Sequence, residues 1–275
     1  MKDLQVLDTR SVLDKGFVTL VDMMGNDQRV LQAARVSTSD VALKGDIKDE
    51  KLIRYLMRHM HRTPFEKLVF EFHVKCPIFV GREWMRHRMA SYNEKSARYQ
   101  KFKDWEWYQP SEWRIQAQKN KQSSVPSSTD MADYDKPYNK ILQNSEEFYK
   151  DALDNDVARE MARLVMPVSV YTEFFVTMNF NALMNFLTLR MDEGAQWEIR
   201  QYANAIFNML KNIESIQWTV GAFNDFVLSK PDVDSELLSD LHEKLNTQAK
   251  EVAVSKENFK KLVDAYQYLE MKYGK

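Results

Sequence analysis

The run Val69-Phe70-Glu71-Phe72-His73-Val74-Lys75-Cys76 alternates without a fault. Phe70, Phe72, Val74 and Cys76 fall on one side, and Glu71, His73 and Lys75 on the other. Successive side chains of a strand point to opposite faces, so this period demands a strand with one buried face and one wet face. Something apolar has to cover the buried face, and helices with three-and-four spacing supply it. One is expected over about Asp49–Met60, carrying Leu52, Ile53, Leu56, Met57 and Met60 on a single stripe. A second strand is expected over Phe17–Asp22, followed by a helix capped by Asn26, and a third over Val168–Met178. Further helices are predicted at Pro77–His87, Lys136–Leu153, Val157–Val165 (capped by Asn155 or Asp156 and ended by Pro167), Asn181–Met191 and Ala195–Leu210. Asp104–Asp135 lacks a period and reads as a long loop, a candidate lid. The whole is α+β, strands covered by helices, without regular strand–helix alternation.

Composition narrows what such a fold can do. The chain has 275 residues with 44% hydrophobic content, enough for a full core. Lys+Arg 39 against Asp+Glu 40 leaves a net charge of -1, so no global field draws it to nucleic acid or anionic membrane. Met1–Arg10 has no apolar stretch of the signal-peptide kind, and the longest uncharged run, Phe174–Leu189, is shorter than the ~20 residues of a membrane span. Cys76 stands alone, which excludes an intramolecular disulfide and a thiolate metal site and fits a reducing, cytoplasmic setting. None of the seven glycines lies within three positions of another. The Gly-x-Gly-x-x-Gly turn of a dinucleotide fold is therefore impossible, and any such cofactor is held by other means.

The chemistry concentrates in Arg86-His87-Arg88-Met89-Ala90-Ser91-Tyr92-Asn93-Glu94-Lys95-Ser96-Ala97-Arg98-Tyr99. Guanidinium forks, hydroxyls and backbone amides together make a cradle for phosphate or carboxylate. The same residues, interleaved with Tyr92, Tyr99, Phe102, Trp105 and Trp107, also fit a groove for single-stranded nucleic acid running over residues 82–107. A zinc hydrolase built on His59, His61 and His73 is a third reading, although no His-Glu-x-x-His helix supports it.

The segment resembles the signature of the flavin-dependent thymidylate synthases: Arg-His-Arg, two free positions, Ser, one free, Asn-Glu, one free, Ser, one free, Arg-Tyr. Every fixed position is filled. The upstream block His61-Arg62-Thr63-Pro64-Phe65-Glu66 is similar to the same family's, as are the downstream blocks from Asn181 to Arg190 and Ala195-Gln196-Trp197-Glu198-Ile199. The resemblance runs from about Phe17 to Phe226 and leaves the charged tail, Pro231–Lys275, unmatched. It implies one domain over 1–228 with a helical C-terminal extension over 229–275, and an α+β fold with a central, mostly antiparallel sheet covered by helices.

The resemblance further implies a cytoplasmic homotetramer, with active sites at subunit interfaces, that methylates dUMP to dTMP. Methylene-tetrahydrofolate would give the carbon, and FAD reduced by NADPH the hydride. The residues matching the family's dUMP site are Glu83, Trp84, Arg86, Glu94, Lys95, Ser96, Ala97, Arg98, Arg163 and Arg190. Those matching its FAD site are His61, Thr63, Arg86, His87, Arg88, Glu94, Asn179, Asn181 and Asn185. No metal, nucleic acid or membrane is implied. Arg190 is the expected catalytic residue, polarising the pyrimidine so that no covalent enzyme adduct is needed. Ser96 as nucleophile lacks a local base, and Cys76 falls on the apolar face of its strand. The chain departs from the family's common pattern at Glu83 (commonly Gln), Lys67 (His), Ala97 (Gly) and Gly194 (His).

Overall fold

The computed structural model describes residues 7–38, 41–99, 101, 105–118 and 122–229. The chain divides into two compact units, Met1–Phe223 and Asn224–Lys275. Of the second, only a single π-helical turn, Asn224–Leu228, and Ser229 fall among the described residues, so the expected tail helix lies outside them.

The expected central strand is present as Val69–Pro77. In chain order the elements of the first unit are β1 (Asp8–Val12), β2 (Gly16–Met24), α1 (Asp27–Arg35), α2 (Asp46–Arg58), β3 (Val69–Pro77), α3 (Ile78–Trp84), β4 (Ser91–Glu94), β5 (Ile115–Gln116), β6 (Ser124–Val125), α4 (Asp135–Asp154), α5 (Arg159–Ala162), β7 (Tyr171–Asn179), α6 (Phe180–Arg190), α7 (Trp197–Leu210) and α8 (Gln217–Phe223). Five strands form one sheet in the order β1-β2-β3-β7-β4, every neighbouring pair antiparallel, and β5 and β6 make a separate small hairpin.

Its apolar face is set by register. Phe70 pairs with Met178, Phe72 with Val176, Val74 with Phe174 and Cys76 with Thr172, so eight inward side chains stand as cross-strand neighbours. Phe70, Phe72, Val74, Cys76 and Val176 have no exposed surface at all. Each buried Val or Phe contributes about 1.5–3 kcal/mol relative to exposure. Above this face lie α6, with Leu183, Met184, Phe186 and Leu187 buried, and α7, with Ile199, Tyr202, Ala203, Ile206 and Leu210 buried. On the opposite face His73 stacks on Phe175 at 4.4 Å between centroids and reaches Glu173 at 3.3 Å.

Several element ends differ from the sequence expectation for identifiable reasons. β1 and β4 were not anticipated, because their residues are mostly exposed and carry no apolar alternation. The helix from Pro77 stops at Trp84, short of His87, where the Tyr92 hydroxyl donates to the Trp84 and His87 carbonyls at 3.0 and 2.9 Å and turns the chain. Asn155 and Asp156 do not cap the next helix. Asn155 ends α4, donating from Nδ2 to the Asp151 carbonyl at 2.9 Å, and Asp156 takes a left-handed φ of 58°. In place of the expected longer helix there is a single α-turn, Arg159–Ala162, that tightens into a 3-10 turn over Arg163–Val165. Asn26 does cap α1, its side chain accepting from the Arg29 amide at 2.9 Å.

Tyr202 locks α7 to the sheet by donating to the Lys75 carbonyl at 2.7 Å, directly over Gly16. A Cβ on Gly16 would sit 2.0 Å from the Tyr202 hydroxyl oxygen and 2.7 Å from two backbone carbonyls. Gly16→Ala is therefore expected to destabilise the fold by about 1–3 kcal/mol. Gly221→Ala, where nothing lies within 4 Å and the residue is helical, is expected to be neutral or to stabilise by up to about 1 kcal/mol. Denaturant midpoints of the two variants check the contrast.

Candidate active site

Arg190 is the last residue of α6, and its guanidinium is held by three hydrogen bonds. Nη1 donates to Glu83 Oε2 at 2.8 Å, Nη2 to the Glu83 carbonyl at 3.1 Å, and Nε to His87 Nε2 at 3.1 Å. Glu83 is in α3 and His87 in the turn after it, so the fork brings together residues more than a hundred positions apart. Its floor is aromatic. Trp84, fully buried, stacks on Phe186 at 4.7 Å, and His87 meets Phe186 edge-on at 5.0 Å.

This floor shapes the electrostatics. Burial, and then the Arg190 cation, push His87 down from 6.5 to about 4, so its imidazole is neutral and accepts the Arg190 Nε proton. Burial holds the Glu83 carboxyl above its usual value, Arg190 opposes that, and the Glu198 carboxylate adds to it. Glu198, itself buried in α7, takes donors from Tyr108 Oη at 3.2 Å, from Gln196 Nε2 at 3.0 Å and from Arg114. The Arg114 guanidinium lies 4.8 Å over the Trp197 ring. This network ties the loop before β5 to α7 beside the Arg190 fork.

A second group joins the His61–Glu66 block to α6. Asn181 Nδ2 donates to Glu66 Oε1 at 3.0 Å, and Arg62 Nη1 donates to Asn185 Oδ1 at 2.8 Å. Asn179 caps the helix, accepting from the Ala182 amide at 2.9 Å. Asn181 Oδ1 is buried without a partner among the described residues. That orphaned acceptor fits an N–H or hydroxyl donor of a bound group, as a flavin and its ribityl chain would offer. His61 and Thr63 are exposed in the same block, with His61 near the Tyr55 ring at 6.1 Å.

The rest of the signature segment lies along the sheet edge. Glu94 accepts from Thr172 Oγ1 at 2.7 Å. The Ser96 hydroxyl accepts from the Arg98 amide at 3.3 Å, and Arg98 reaches Glu160 at 3.4 Å. Arg86, Arg88, Lys95 and Arg163 are exposed, whereas Ala97 is packed with Trp105, Tyr149 and Val170. Two expected substrate residues, Trp84 and Ala97, thus present only backbone to any ligand. Cys76 is fully buried, its thiol pushed well up by desolvation and by the Glu94 charge.

A cavity of about 580 Å³ is lined by Arg10, Asp14 and Trp197 among others, and one of about 380 Å³ by the Arg114–Glu198 network. The Arg190 fork belongs to neither. Of the aromatic residues in the nucleic-acid reading, Trp105 is in the core and Tyr92 is tied by its hydroxyl, while Tyr99 is exposed and Trp107 half-buried, and Phe102 lies outside the described residues. Among the described residues no group of three or more His, Cys, Asp and Glu is placed to hold a metal ion, and no helix is long and apolar enough to cross a membrane.

Comparison with known proteins decides the family. The family described as "Thymidylate synthase complementing protein" matches residues 19–214. The chain belongs to the flavin-dependent thymidylate synthase family. It is 49% identical over 218 residues to the flavin-dependent thymidylate synthase of Thermosipho africanus, covering 78% of this chain and 93% of that protein. It is 48% identical over 220 residues to that of Thermus thermophilus, covering 80% of each. The crystal structure of the UMP/dUMP methylase PolB from Streptomyces cacaoi bound with 5-Br dUMP superposes with a TM-score of 0.72 at 34% identity, covering 81% of this chain and all of that one.

Inspection of the sequence missed Arg62, Glu66, Tyr108, Arg114 and Glu198. The first two are charged residues inside the His61–Glu66 block, a signal that was present; the other three meet only through contacts 84 and 90 positions apart.

Folded His87 binds fewer protons than unfolded His87 between pH 6.5 and about 4. Its contribution to stability is complete above pH 6.5 and is lost as pH falls towards about 4. His87→Gln is expected to flatten the pH dependence of unfolding in that window. In Arg190→Ala the His87 midpoint, followed by NMR, is expected to rise, because one of its two depressing causes is gone.

Proposed function

We propose that this chain methylates dUMP to dTMP with methylene-tetrahydrofolate as carbon donor and FAD, reduced by NADPH, as hydride carrier, and that it does so without a cysteine nucleophile. The observation that carries the reading is the immobilised Arg190 fork against the signature turn. Among the described residues each of its nitrogens donates once, which leaves one N–H on each terminal nitrogen to meet a substrate carbonyl. Uracil is a poor nucleophile at the carbon to be methylated. A guanidinium facing its carbonyl and ring nitrogen stabilises the enolate-like anion that reacts, and a donor fixed in advance costs no reorganisation. The burial of Cys76 supports the absence of a thiolate step, because attack requires an accessible, ionised sulfur.

Arg86, Arg98, Arg163, Ser96 and Lys95 would hold the nucleotide phosphate and sugar, with Glu94 and the backbone at Trp84 and Ala97, while Glu83, bonded to Arg190, would lie at the base end of the nucleotide. His61, Thr63, Arg86, His87, Arg88, Glu94, Asn179, Asn181 and Asn185 would hold FAD, the unpartnered Asn181 Oδ1 being the acceptor that asks for it. Bound FAD supplies the hydride. Exposed guanidiniums at 86, 88, 98 and 163 in a single chain are what a site completed by another copy requires, so a homotetramer with shared sites is the proposed assembly.

Purified protein is expected to be yellow or to take up added FAD, and to turn over anaerobically with NADPH, methylene-tetrahydrofolate and dUMP. Arg190→Ala should lower kcat by about 100-fold or more, the scale of losing one oriented charge donor. Ser96→Ala should keep measurable turnover. A colourless protein that binds no FAD, or an active Arg190→Ala beside a dead Ser96→Ala, would overturn the reading.

A further inference from the structure

Resting on the reading that Arg190 faces the pyrimidine, we infer that Glu83 is the base that takes the ring N–H proton of the substrate and thereby selects a pyrimidine-2,4-dione. The Watson–Crick edge of uracil reads acceptor, donor, acceptor. Arginine has donors only and stays protonated, so Arg190 can serve the carbonyls but can neither accept the ring N–H nor remove its proton. His87 cannot either: its Nε2 lone pair already receives the Arg190 Nε proton, and in the neutral imidazole the other nitrogen carries hydrogen. Among the described residues that hydrogen-bond to Arg190, that leaves the Glu83 carboxylate, whose Oε2 is 2.8 Å from Arg190 Nη1 and which sits beside the donors that would grip the carbonyls.

The charged groups around Glu83 suit the task. Arg82 and Arg86 of the same segment are exposed, Arg190 comes from α6, and Glu198 comes from α7 already matched by Arg114 and Tyr108. The site is about a quarter exposed at both Glu83 (24%) and Arg190 (20%), so the pair is neither fully solvated nor sealed. Burial and Glu198 both make this carboxyl a better proton acceptor than an ordinary glutamate.

The step balances within the site. The ring N–H bond breaks and an O–H bond forms on Glu83, while the electron pair stays on the ring, spread over its two carbonyls. Arg190 exchanges one anionic partner, the carboxylate, for another, the ring. No charge is gained or lost, and the proton returns to the ring nitrogen when product leaves. A cytosine edge would turn a lone pair towards the carboxylate and be repelled. The amide common in the family at this position cannot do this, because glutamine takes up no proton near neutral pH.

The test uses the full-length, FAD-loaded protein with 5-bromo-dUMP, whose halogen makes the ring N–H more acidic and whose ring anion has its own near-ultraviolet spectrum. Wild type is expected to bind it as the ring anion at pH values below the free ligand's own ionisation, with no proton released to a weakly buffered solution. Glu83→Gln, checked for folding by thermal melting, is expected to bind the neutral ring, to narrow the preference for dUMP over dCMP by about tenfold or more, and to lose kcat/KM by roughly 100-fold, the lower end of general-base effects. Glu83→Asp, which keeps a carboxylate, should restore the anion signal. Identical spectra and proton counts in wild type and Glu83→Gln, or release of one proton per site from wild type, would overturn the proposal. Wild type that is folded and yellow yet binds neither 5-bromo-dUMP nor dUMP would instead remove the nucleotide site itself, and Glu83's role with it.

Discussion

The antiparallel pairing of β3 with β7 is the constraint on which everything else in this molecule rests. The two nine-residue strands are paired along their full length, from Val69↔Asn179 to Pro77↔Tyr171, over about 30 Å. Each runs directly into a helix, α3 after Pro77 and α6 after Asn179, and because the strands are antiparallel those helices start from opposite ends of the pair. Both fold back over the apolar face. At 1.5 Å per residue α3 spans about 10 Å and α6 about 16 Å, so their C-terminal ends converge over the strand pair. Glu83 and Arg190 are at those ends, and the Trp84–Phe186 stack beneath them is the packing contact that sets the approach. Arg190 meets the signature segment, therefore, through strand register and helix length, without any local sequence linking the two.

That geometry explains which parts could be read in advance. β3 was legible because its alternation is complete, and α7 because its stripe is; α2 buries Ile53, Leu56 and Met57 as expected but ends at Arg58, so Met60, at a left-handed φ of 57°, falls outside it and is exposed. The signature segment was legible as a family motif, since every fixed position is filled and the family match spans it. β4 was not, for Ser91–Glu94 is an edge strand whose side chains are largely exposed, and what holds it beside β7, backbone pairing with the Thr172–Glu94 bond and the Tyr92–Phe174 ring contact, leaves no period in the sequence. The end of α3 was misjudged for the same kind of reason: a tyrosine five to eight residues downstream captures two carbonyls, an interaction with no period to betray it. Partner identities were the least legible. Nothing in the neighbourhood of Glu83 says that it will meet Arg190 rather than solvent, and Glu198 meets Arg114 only because a loop crosses α7.

The buried charges obey one pattern. Arg35 and Asp49 pair in the N-terminal helices with almost no exposure, Arg114 and Glu198 pair over α7, and Arg190 and Glu83 pair over α6. In each, a carboxylate from one element meets a guanidinium from another, and in the first two the carboxylate carries additional donors: the Lys44 amide on Asp49, Tyr108 and Gln196 on Glu198. Extra donors are what a desolvated ion pair needs to repay its loss of water. Glu83 is the exception. It is the most exposed carboxylate of the three, and no donor to its side chain other than Arg190 is found among the described residues.

That exception matters for how the fork works. A free arginine side chain carries about 2 kcal/mol of rotamer entropy, which any ligand ordering it would have to offset. Here three hydrogen bonds and an aromatic floor have already ordered Arg190, so under the proposed function the cost would fall on folding and not on substrate binding. Pairing it with a fully satisfied, deeply buried carboxylate would achieve the same order but would make the cation too costly to redirect, since uncoupling a buried pair leaves a charge unpaired at about 3–5 kcal/mol. A partly exposed, singly paired glutamate resolves the conflict. Under the proposal it would let go of the charge without letting go of the position, because the Glu83 carbonyl and His87 have their own bonds to Nη2 and Nε.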